Sequence, residues 1–188
     1  ERLGDAIVAV RSGERRFTGD AFVVAAGAWT GRVTGLFGVP LPIRPGKGYS
    51  ITYSPPSLVP RRPLVLRERS VCVTSWGSGY RLGSTMEFSG FDDTLNTRRL
   101  AALERGAAEY LHQPVGPEVR ERWFGWRPMS VDDIPIIGPV PGRKGLWLAT
   151  GHGMMGVGMS AATGQLVADL VTGRAPAIDP APYRVDRL

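Results

Sequence analysis

The stretch of residues 146–171 constrains the fold more than any other part of the sequence. Leu146–Thr150 is an apolar run that predicts a buried strand, and a glycine-rich turn follows it. A helical pattern then extends from about residue 159 to 171, with Gly173 as its stop. A strand that passes through a tight turn into a helix is typical of an α/β layer. The start of such a helix gathers backbone N–H groups and the positive end of the helix dipole, so it suits an anion or a developing negative charge.

A second apolar strand is predicted near the start of the chain. Residues 20–25 are too apolar for a half-exposed strand and predict a buried parallel one. They lead into a loop of small residues that contains Gly27, and a short helix at residues 30–37 is expected to end at Gly38. A β-rich run at residues 6–10 predicts one more strand. Both ends of the chain therefore show the α/β pattern.

The middle of the chain shows a different pattern, of consecutive strands with one packed helix. Strands are predicted at residues 49–53, 63–67, 71–74, 80–84 and 120–126. The helix is predicted at residues 97–112, where Asn96 is its N-cap and apolar residues recur at helical spacing. The proline-rich residues 127–141 are expected to form an ordered loop. The fold class predicted from this mixture is α+β, with an antiparallel sheet beside part of an α/β layer.

The charge pattern excludes some classes of partner. The net charge of +6 is carried almost wholly by scattered arginines, without a basic block or a recognition motif, so no nucleic-acid partner is expected. No apolar stretch reaches roughly 18 residues, so no transmembrane segment is expected. The single cysteine, Cys72, excludes an internal disulfide, and no signal peptide is recognised. We expect a cytoplasmic protein, and the basic surface leaves open a peripheral contact at the inner face of the membrane.

Two single residues are candidates for chemistry. Arg127 lies among aromatic residues, so its guanidinium needs either an anionic ligand, such as a carboxylate held by two parallel hydrogen bonds, or a structural partner in Asp132 or Asp133. His152 can act as an acid or base, contact a ring, or form a structural hydrogen bond. For the glycine-rich turn, a plain strand-to-helix connection is the alternative to a binding role. No metal-ligand spacing is found, so no metal is expected.

Several motifs occur in order along nearly the whole chain. They are Val-Val-Ala-Ala-Gly-Ala-Trp at 23–29, Lys-Gly-Tyr-Ser at 47–50, Gly-Ser-Thr-Met-Glu-Phe at 83–88, Gly-Trp-Arg-Pro-Met at 125–129, Asp-Ile-Pro-Ile-Ile-Gly at 133–138, Leu-Trp-Leu-Ala-Thr-Gly-His-Gly at 146–153 and Thr-Gly-Gln-Leu at 163–166. Together they resemble the amino-acid oxidase superfamily of FAD-dependent oxidoreductases. Within it, the motifs at 47–50 and 83–88 and the Gly-His-Gly turn look most like D-amino acid dehydrogenases and D-hydroxyproline dehydrogenases.

The resemblance implies a cofactor, a reaction and roles for individual residues. FAD is the implied cofactor, and a D-amino acid, or a D-imino acid such as a D-hydroxyproline, is implied to transfer a hydride to it. By the family pattern, Arg127 binds the substrate carboxylate and Tyr49 forms part of the pocket wall. The residues implied to bind the cofactor are Gly27, His152, Gly153, Met154, Met155, Gly156, Val157 and Gly158. In the related glycine oxidases the turn after the histidine carries an arginine that helps bind substrate. Met154 stands there in this chain, which implies a more apolar pocket and argues against glycine.

One unit of the family pattern is missing from the sequence. Such flavoproteins begin with a strand, a Gly-x-Gly-x-x-Gly turn and a helix that hold the dinucleotide pyrophosphate. Residues 151–156 match that spacing by letters but lie near the wrong end. We therefore interpret the chain as about the last half of an enzyme, inactive without its missing amino-terminal half. The expected domains are parts of an FAD-binding domain at 1–37 and 131–188 and a substrate-binding domain at 38–130.

Two other functions stay open. The first is a flavin oxidase of small secondary amines or hydroxy acids, which passes electrons to oxygen. The second is a non-catalytic binding module, which a shortened chain could be in isolation.

Overall fold

The computed structural model describes residues 1–187, which form two compact units. Glu1–Pro45 and the chain from Arg127 onward make unit 1, and Gly46–Trp126 makes unit 2. Within the described residues the strands are β1 (Arg2–Leu3), β2 (Ala6–Ile7), β3 (Ala9–Ser12), β4 (Arg15–Thr18), β5 (Phe22–Val24), β6 (Arg44–Tyr53), β7 (Leu64–Leu66), β8 (Val71–Trp76), β9 (Gly79–Glu87), β10 (Val119–Met129), β11 (Ile136–Pro139) and β12 (Leu146–Thr150). The α-helices are α1 (Thr30–Gly35), α2 (Thr97–Ala108) and α3 (Gly156–Val171).

Unit 2 is built on a five-stranded sheet in the order β10-β6-β9-β8-β7. The pairs β6–β9, β9–β8 and β8–β7 are all antiparallel. β8 and β9 join through a tight hairpin in which Trp76 pairs with Gly79, as the sequence predicts. Because side chains alternate along a strand, this sheet has one apolar face, and α2 packs there. The buried residues of this core are Tyr49, Ile51, Tyr53, Leu66, Val71, Val73, Tyr80, Leu82, Leu100, Leu103 and Ala107.

The start of α2 is as predicted and its end is not. The side-chain oxygen of Asn96 accepts hydrogen bonds from two first-turn N–H groups, at 3.1 and 3.3 Å, so Asn96 is the N-cap. The helix ends at Ala108 rather than at residue 112, so that prediction is wrong at its C-terminus. The N–H groups that follow the helix fold back to the carbonyl oxygen of Ala107, which ends the regular ladder.

Unit 1 contains a three-stranded sheet in the order β11-β12-β5. β12 has the predicted bounds, and it pairs parallel with β5 so that Leu146 lies opposite Phe22 and Leu148 opposite Val24. The pairing confirms that the strand predicted from residues 20–25 is parallel, but β5 covers only Phe22–Val24 and Val23 is 46% exposed, so the expected burial is wrong. The buried residues of this core are Ile7, Ile43, Ile136, Val140, Leu146 and Leu148.

Two further predictions for unit 1 are wrong. The expected loop at residues 127–141 holds the end of β10 and the whole of β11. Ile136 is fully buried and Ile137 nearly so, and β11 lies at the edge of its sheet, where a proline at the strand end removes no ladder hydrogen bond. The run at residues 6–10 is divided between β2 and β3 rather than forming one strand.

The α+β fold class is confirmed. Unit 2 holds the antiparallel sheet with one packed helix, and unit 1 holds the parallel pair with the strand–turn–helix connection. The predicted domain boundaries, and the role of each domain, stay predictions. No helix within residues 1–187 combines the length and the apolar character needed to cross a membrane.

Candidate functional site

The carboxyl ends of β5 and β12 carry two of the predicted cofactor-binding segments. Because the two strands are parallel, their carboxyl ends lie at one edge of the sheet, which is the edge where α/β folds bind ligands. The hydroxyl of Thr150, the last residue of β12, donates to the carbonyl oxygen of Gly27 at 3.2 Å. It also lies 2.9 Å from the hydroxyl of Thr30, where α1 begins. These hydrogen bonds tie the Gly27 loop to the turn after β12.

That turn requires glycine at two positions. Gly151 has a φ of +78° and Gly153 a φ of +53°, both in the left-handed region that strains other residues. A Cβ on Gly153 would also lie 2.8 Å from a carboxylate oxygen of Asp133. The backbone therefore approaches its neighbours more closely here than a side chain would allow.

The segment that follows Arg127 is joined to this turn. The N–H of Gly153 donates to the carbonyl oxygen of Pro128 at 3.0 Å, and Met129 pairs with His152 in an isolated antiparallel bridge. Unit 1 thus brings the Arg127 backbone and the His152 turn together, two segments that the sequence predicted separately. Arg127 itself is half-buried.

The helix α3 begins at Gly156, three residues inside the predicted turn rather than at about residue 159. Met155 is its N-cap and provides no side-chain hydrogen bond. The first N–H groups of an α-helix have no acceptor within the helix, so those of the first turn are available to a ligand. A Cβ on Gly158 would meet nothing within 4 Å, and Val157 is 92% exposed.

The side chains around this helix start are apolar and exposed. Met154 and Met155 are each 62% exposed. Large apolar side chains that surround free backbone donors suit a flat, largely apolar ring with an anionic edge better than a free inorganic anion. Of the predicted cofactor-binding residues from His152 to Gly158, Met154, Met155, Val157 and Gly158 are exposed and Gly153 is buried, and the roles of all of them stay predictions.

His152 is held in place by the helix that it precedes. Its Nε2 lies 2.9 Å from the hydroxyl of Thr163 in α3. Burial lowers the pKa of His152 below its ordinary value of 6.5, so the ring is neutral at neutral pH. A neutral imidazole anchored at one nitrogen fits the structural or ring-contact interpretation better than that of a free base.

One structural partner considered for Arg127 is engaged elsewhere. Arg187 donates to the two carboxylate oxygens of Asp132, at 3.0 and 3.1 Å. The hydrogen bond from Arg187 lowers the pKa of Asp132. This pair fastens the end of the described chain beside β11, and it leaves Asp132 occupied by an arginine other than Arg127.

Tyr49 lies in unit 2, within the core on the α2 face of the sheet. It is 1% exposed, and its hydroxyl donates to Glu87 at 3.3 Å. Burial raises the pKa of this hydroxyl. Its place in the core accounts for Tyr49 without a ligand, and its role in the pocket wall stays a prediction.

Several residues that shape these sites were not predicted from the sequence. Thr163 and Thr150 act through partners 11 and 123 residues away, and no local pattern predicts such pairs. Lys47 was part of a motif without an assigned role. Lys47 lies before the predicted strand at residues 49–53, and a lysine is usually exposed, so no local signal predicted its burial. Within residues 1–187, no group of His, Cys, Asp and Glu side chains is arranged to hold a metal ion.

Comparison with known proteins identifies the family. The sequence model of the DAO family, described as FAD dependent oxidoreductase, matches residues 1–170. The glycine oxidase of Pseudomonas aeruginosa is 40% identical over 183 residues, which cover 97% of this chain and 50% of that protein. A D-amino acid dehydrogenase of Xanthobacter autotrophicus is 38% identical over 184 residues, covering 96% of this chain and 43% of that protein.

A solved structure gives the same result. The crystal structure of glycine oxidase from Geobacillus kaustophilus superposes with a TM-score of 0.85 at 28% identity, over 96% of this chain and 49% of that one. The chain spans about half the length of the curated relatives it matches. Since the family match covers most of the chain, the chain belongs to the DAO family of FAD dependent oxidoreductases.

Proposed function

We propose that this chain is about half of a flavin enzyme that dehydrogenates D-amino acids, with Arg127 binding the substrate carboxylate. The observation that carries the proposal is the junction in unit 1 between two segments. One carries Arg127, and the other leads into the exposed start of α3; the Gly153 N–H to Pro128 carbonyl hydrogen bond joins them. An anion-binding side chain and an exposed helix start on joined backbones are what a carboxylate substrate and a flavin ring require.

The residues present fit FAD at the start of α3. Its first-turn N–H groups and the positive helix end suit the electron-rich edge of the ring, while Met154, Met155 and Val157 offer apolar contact. FAD, when bound, supplies the acceptor for the substrate α-hydrogen, which leaves as hydride. The protein residues orient the substrate and exclude water, and no strong protein base is needed when the substrate amine is neutral.

Arg127 suits a carboxylate by its shape as well as its charge. A guanidinium offers two parallel donors to the two carboxylate oxygens, and a partly desolvated site strengthens both hydrogen bonds. Its neighbours in β10 restrict it further, since Pro128 limits the backbone on one side and Trp126 lies on the other. Arg127 would thereby fix the direction from which the α-carbon meets the flavin.

The side chain at Met154 favours a substrate larger than glycine. The resemblance to glycine oxidases implies an arginine in the turn after the histidine, and this chain has an exposed methionine there. An unbranched apolar side chain adapts to apolar groups of varied shape. Relatives that are named D-amino acid dehydrogenase support a substrate larger than glycine.

The remaining half of such an enzyme would supply the pyrophosphate cradle. This sequence lacks the strand, Gly-x-Gly-x-x-Gly turn and helix in the place where the family carries them. Relatives have about twice the length matched here. We therefore propose that an amino-terminal half completes the FAD-binding domain around unit 1.

Substitution of Arg127 by lysine in the complete enzyme tests the proposal. Lysine keeps the charge but loses the fork, so we expect substrate binding to weaken by about 2–3 kcal/mol. KM for a D-amino acid should rise, and flavin absorbance should hardly change. Steady-state kinetics and the absorbance of the same preparation measure both.

Arg174→Lys is the matched control, because Arg174 follows the C-terminal end of α3, away from the start of that helix, and its exposed side chain forms an ion pair with Asp169. It should behave like the wild-type enzyme. An unchanged kcat/KM for Arg127→Lys would show that Arg127 does not bind the carboxylate. Loss of flavin together with activity would assign Arg127 a structural role.

The second candidate function is a flavin oxidase of small secondary amines or hydroxy acids. The 40% identity to a protein named glycine oxidase favours an oxidase. The electron acceptor separates the two functions. Formation of hydrogen peroxide with a small amine would support the oxidase, and turnover of a D-amino acid only with a quinone or dye acceptor would support the dehydrogenase.

A further inference from the structure

The side chain of Lys47 is completely buried in unit 2, although it carries a charge. Its ammonium donates to a carboxylate oxygen of Asp92 at 2.9 Å and to the carbonyl oxygen of Thr94. It also lies 4.6 Å from the ring centre of Phe124 and 5.4 Å from that of Tyr49. A buried ammonium is tolerated only when charge and hydrogen bonds compensate for lost hydration, so Lys47 and its acceptors must stay in place together.

Both acceptors of Lys47 belong to one segment, residues 88–95, which we call the clasp. The clasp connects β9 to α2 and contains no helix or strand. Asp92 also accepts from the N–H and the hydroxyl of Thr94, so the two residues that hold the ammonium hold each other. At the end of the clasp, the Asn96 side chain donates to Glu87 at 3.0 Å. One hydrogen bond thus joins the two residues that flank the clasp, and Lys47 binds two residues within it.

The clasp reaches the strand that carries Arg127. The ring of Phe91 lies 5.5 Å from that of Trp126, and Trp126 in turn lies 5.3 Å from Phe124 in an edge-on arrangement. Phe124 is the ring beneath the Lys47 ammonium. Aromatic pairs favour tilted and edge-on arrangements of this kind, so each ring limits the movement of its neighbour.

We propose that Lys47 is a positioning residue for substrate binding, acting through the clasp and Trp126 on Arg127. Trp126 precedes Arg127 in β10, and alternation sends the two side chains to opposite faces of the strand. Packing that fixes Trp126 therefore fixes the backbone from which the guanidinium projects. The inference rests on the proposed role of Arg127.

Lys47→Met in the complete enzyme tests the inference. Methionine keeps the apolar length but releases Asp92 and Thr94, so the clasp and Trp126 lose their anchor. A small misplacement of an orienting group reduces kcat/KM roughly 10- to 100-fold, and we expect the loss in KM, with kcat and flavin absorbance nearly unchanged. Arg69→Met is the control, since it breaks an exposed ion pair with Glu109 in the same unit.

A double-mutant cycle shows whether Lys47 acts through Arg127. In an Arg127→Lys background, Lys47→Met should change kcat/KM by less than about threefold, because the group that it positions is already altered. Equal factors in both backgrounds would overturn the inference. An unchanged kcat/KM for Arg127→Lys alone would instead contradict the proposed function.

Phe91→Leu covers the case in which Lys47→Met does not fold. This variant keeps the Lys47–Asp92 ion pair and removes the ring contact with Trp126. KM should again rise with flavin content unchanged. An unchanged KM would show that the clasp does not position Arg127 and would overturn the inference.

Discussion

Single hydroxyl groups hold the candidate site of unit 1 together. Thr150 joins the Gly27 loop to the end of β12, and Thr163 holds the ring of His152 from one side. Both hydroxyls are neutral, so they orient backbone and ring without adding charge beside the helix start. The helix dipole places partial positive charge there.

The anchored histidine gives the protein a defined response to acid. Burial lowers the pKa of His152 in the folded state below the unfolded value of 6.5, so the fold favours the neutral ring. The stabilisation is complete above the unfolded pKa. As the pH falls through the folded pKa, the unfolded state binds the proton more readily and the stabilisation is lost. We therefore expect stability to decline below pH 6.5 partly because of His152.

Thermal unfolding between pH 7.5 and pH 5 measures this contribution. His152→Gln keeps a group able to bond Thr163 but cannot titrate, so its melting temperature should fall less over this range than that of the wild-type protein. His112→Gln removes the only other histidine, an exposed one, and serves as the control. If His152→Gln and the wild-type protein respond identically to acid, the histidine is not held neutral by the fold.

At the scale of elements, two helical glycines differ in the space available for a side chain. Comparing alanine at the two positions distinguishes the effect of helix preference from the effect of packing. Gly106 lies in α2, where a Cβ would approach Val71 Cγ2 at 2.9 Å and Arg69 Cβ at 3.0 Å. Gly164 lies in α3, where a Cβ would meet nothing within 4 Å. Alanine favours a helix over glycine by about 1 kcal/mol at either position. Only at Gly106 does it also force stiff neighbours apart.

Opposite effects on stability are therefore expected for the two substitutions. Gly164→Ala should raise the free energy of unfolding by about 0.5–1 kcal/mol. Gly106→Ala should lower it by about 1–2 kcal/mol net, because overpacking exceeds the gain in helix preference. Urea unfolding followed by far-ultraviolet circular dichroism measures both. Similar gains at both sites would mean that β8 and α2 separate easily enough to admit the methyl group.

Elements with strong local signals were predictable from the sequence. The apolar run of β12, the Asn96 cap and the hairpin after Trp76 each depend on residues close in the chain. Elements that depend on a distant partner were not. β11 was predicted as a loop because Pro135 before it and Pro139 at its end are local loop signals, whereas its pairing with β12 is a tertiary contact. The early start of α3 inside a glycine-rich turn has the same cause, since tertiary context overrides low helix preference.

The same distinction applies to the candidate site. Gly151 and Gly153 were predictable because a tight turn requires them, and both have positive φ. The junction between Pro128 and Gly153 was not, because it joins residues 25 positions apart without a periodic signal. The buried Lys47–Asp92 ion pair was not predicted either, since a lysine in a strand is usually exposed.

At the scale of the whole molecule, unit 1 leaves apolar surface uncovered along β5. Within the described residues β5 ends its sheet, and Val23 is 46% exposed although the sequence predicted a buried strand. A groove of about 550 Å³ lies beside it, lined mainly by apolar side chains including Phe17, Phe22 and Phe37. An open edge and an apolar groove on one side of a parallel sheet suit a further strand and helix. This supports the proposal that an amino-terminal half completes the domain.

The last prediction concerns how this chain binds flavin by itself. In the proposed function the start of α3 contacts the flavin ring, whereas the strand–turn–helix unit that holds a pyrophosphate in the family is not found in this sequence. We therefore expect the isolated chain to bind FAD weakly or not at all. Riboflavin, which has the ring but no pyrophosphate, should bind the isolated chain about as weakly as FAD. Joined to the amino-terminal half, the protein should bind FAD far more tightly than riboflavin. Titrations followed by flavin fluorescence measure the binding of FAD and of riboflavin to the isolated chain and to the complete protein. Tight, stoichiometric binding of FAD to the isolated chain would show that no second half is needed.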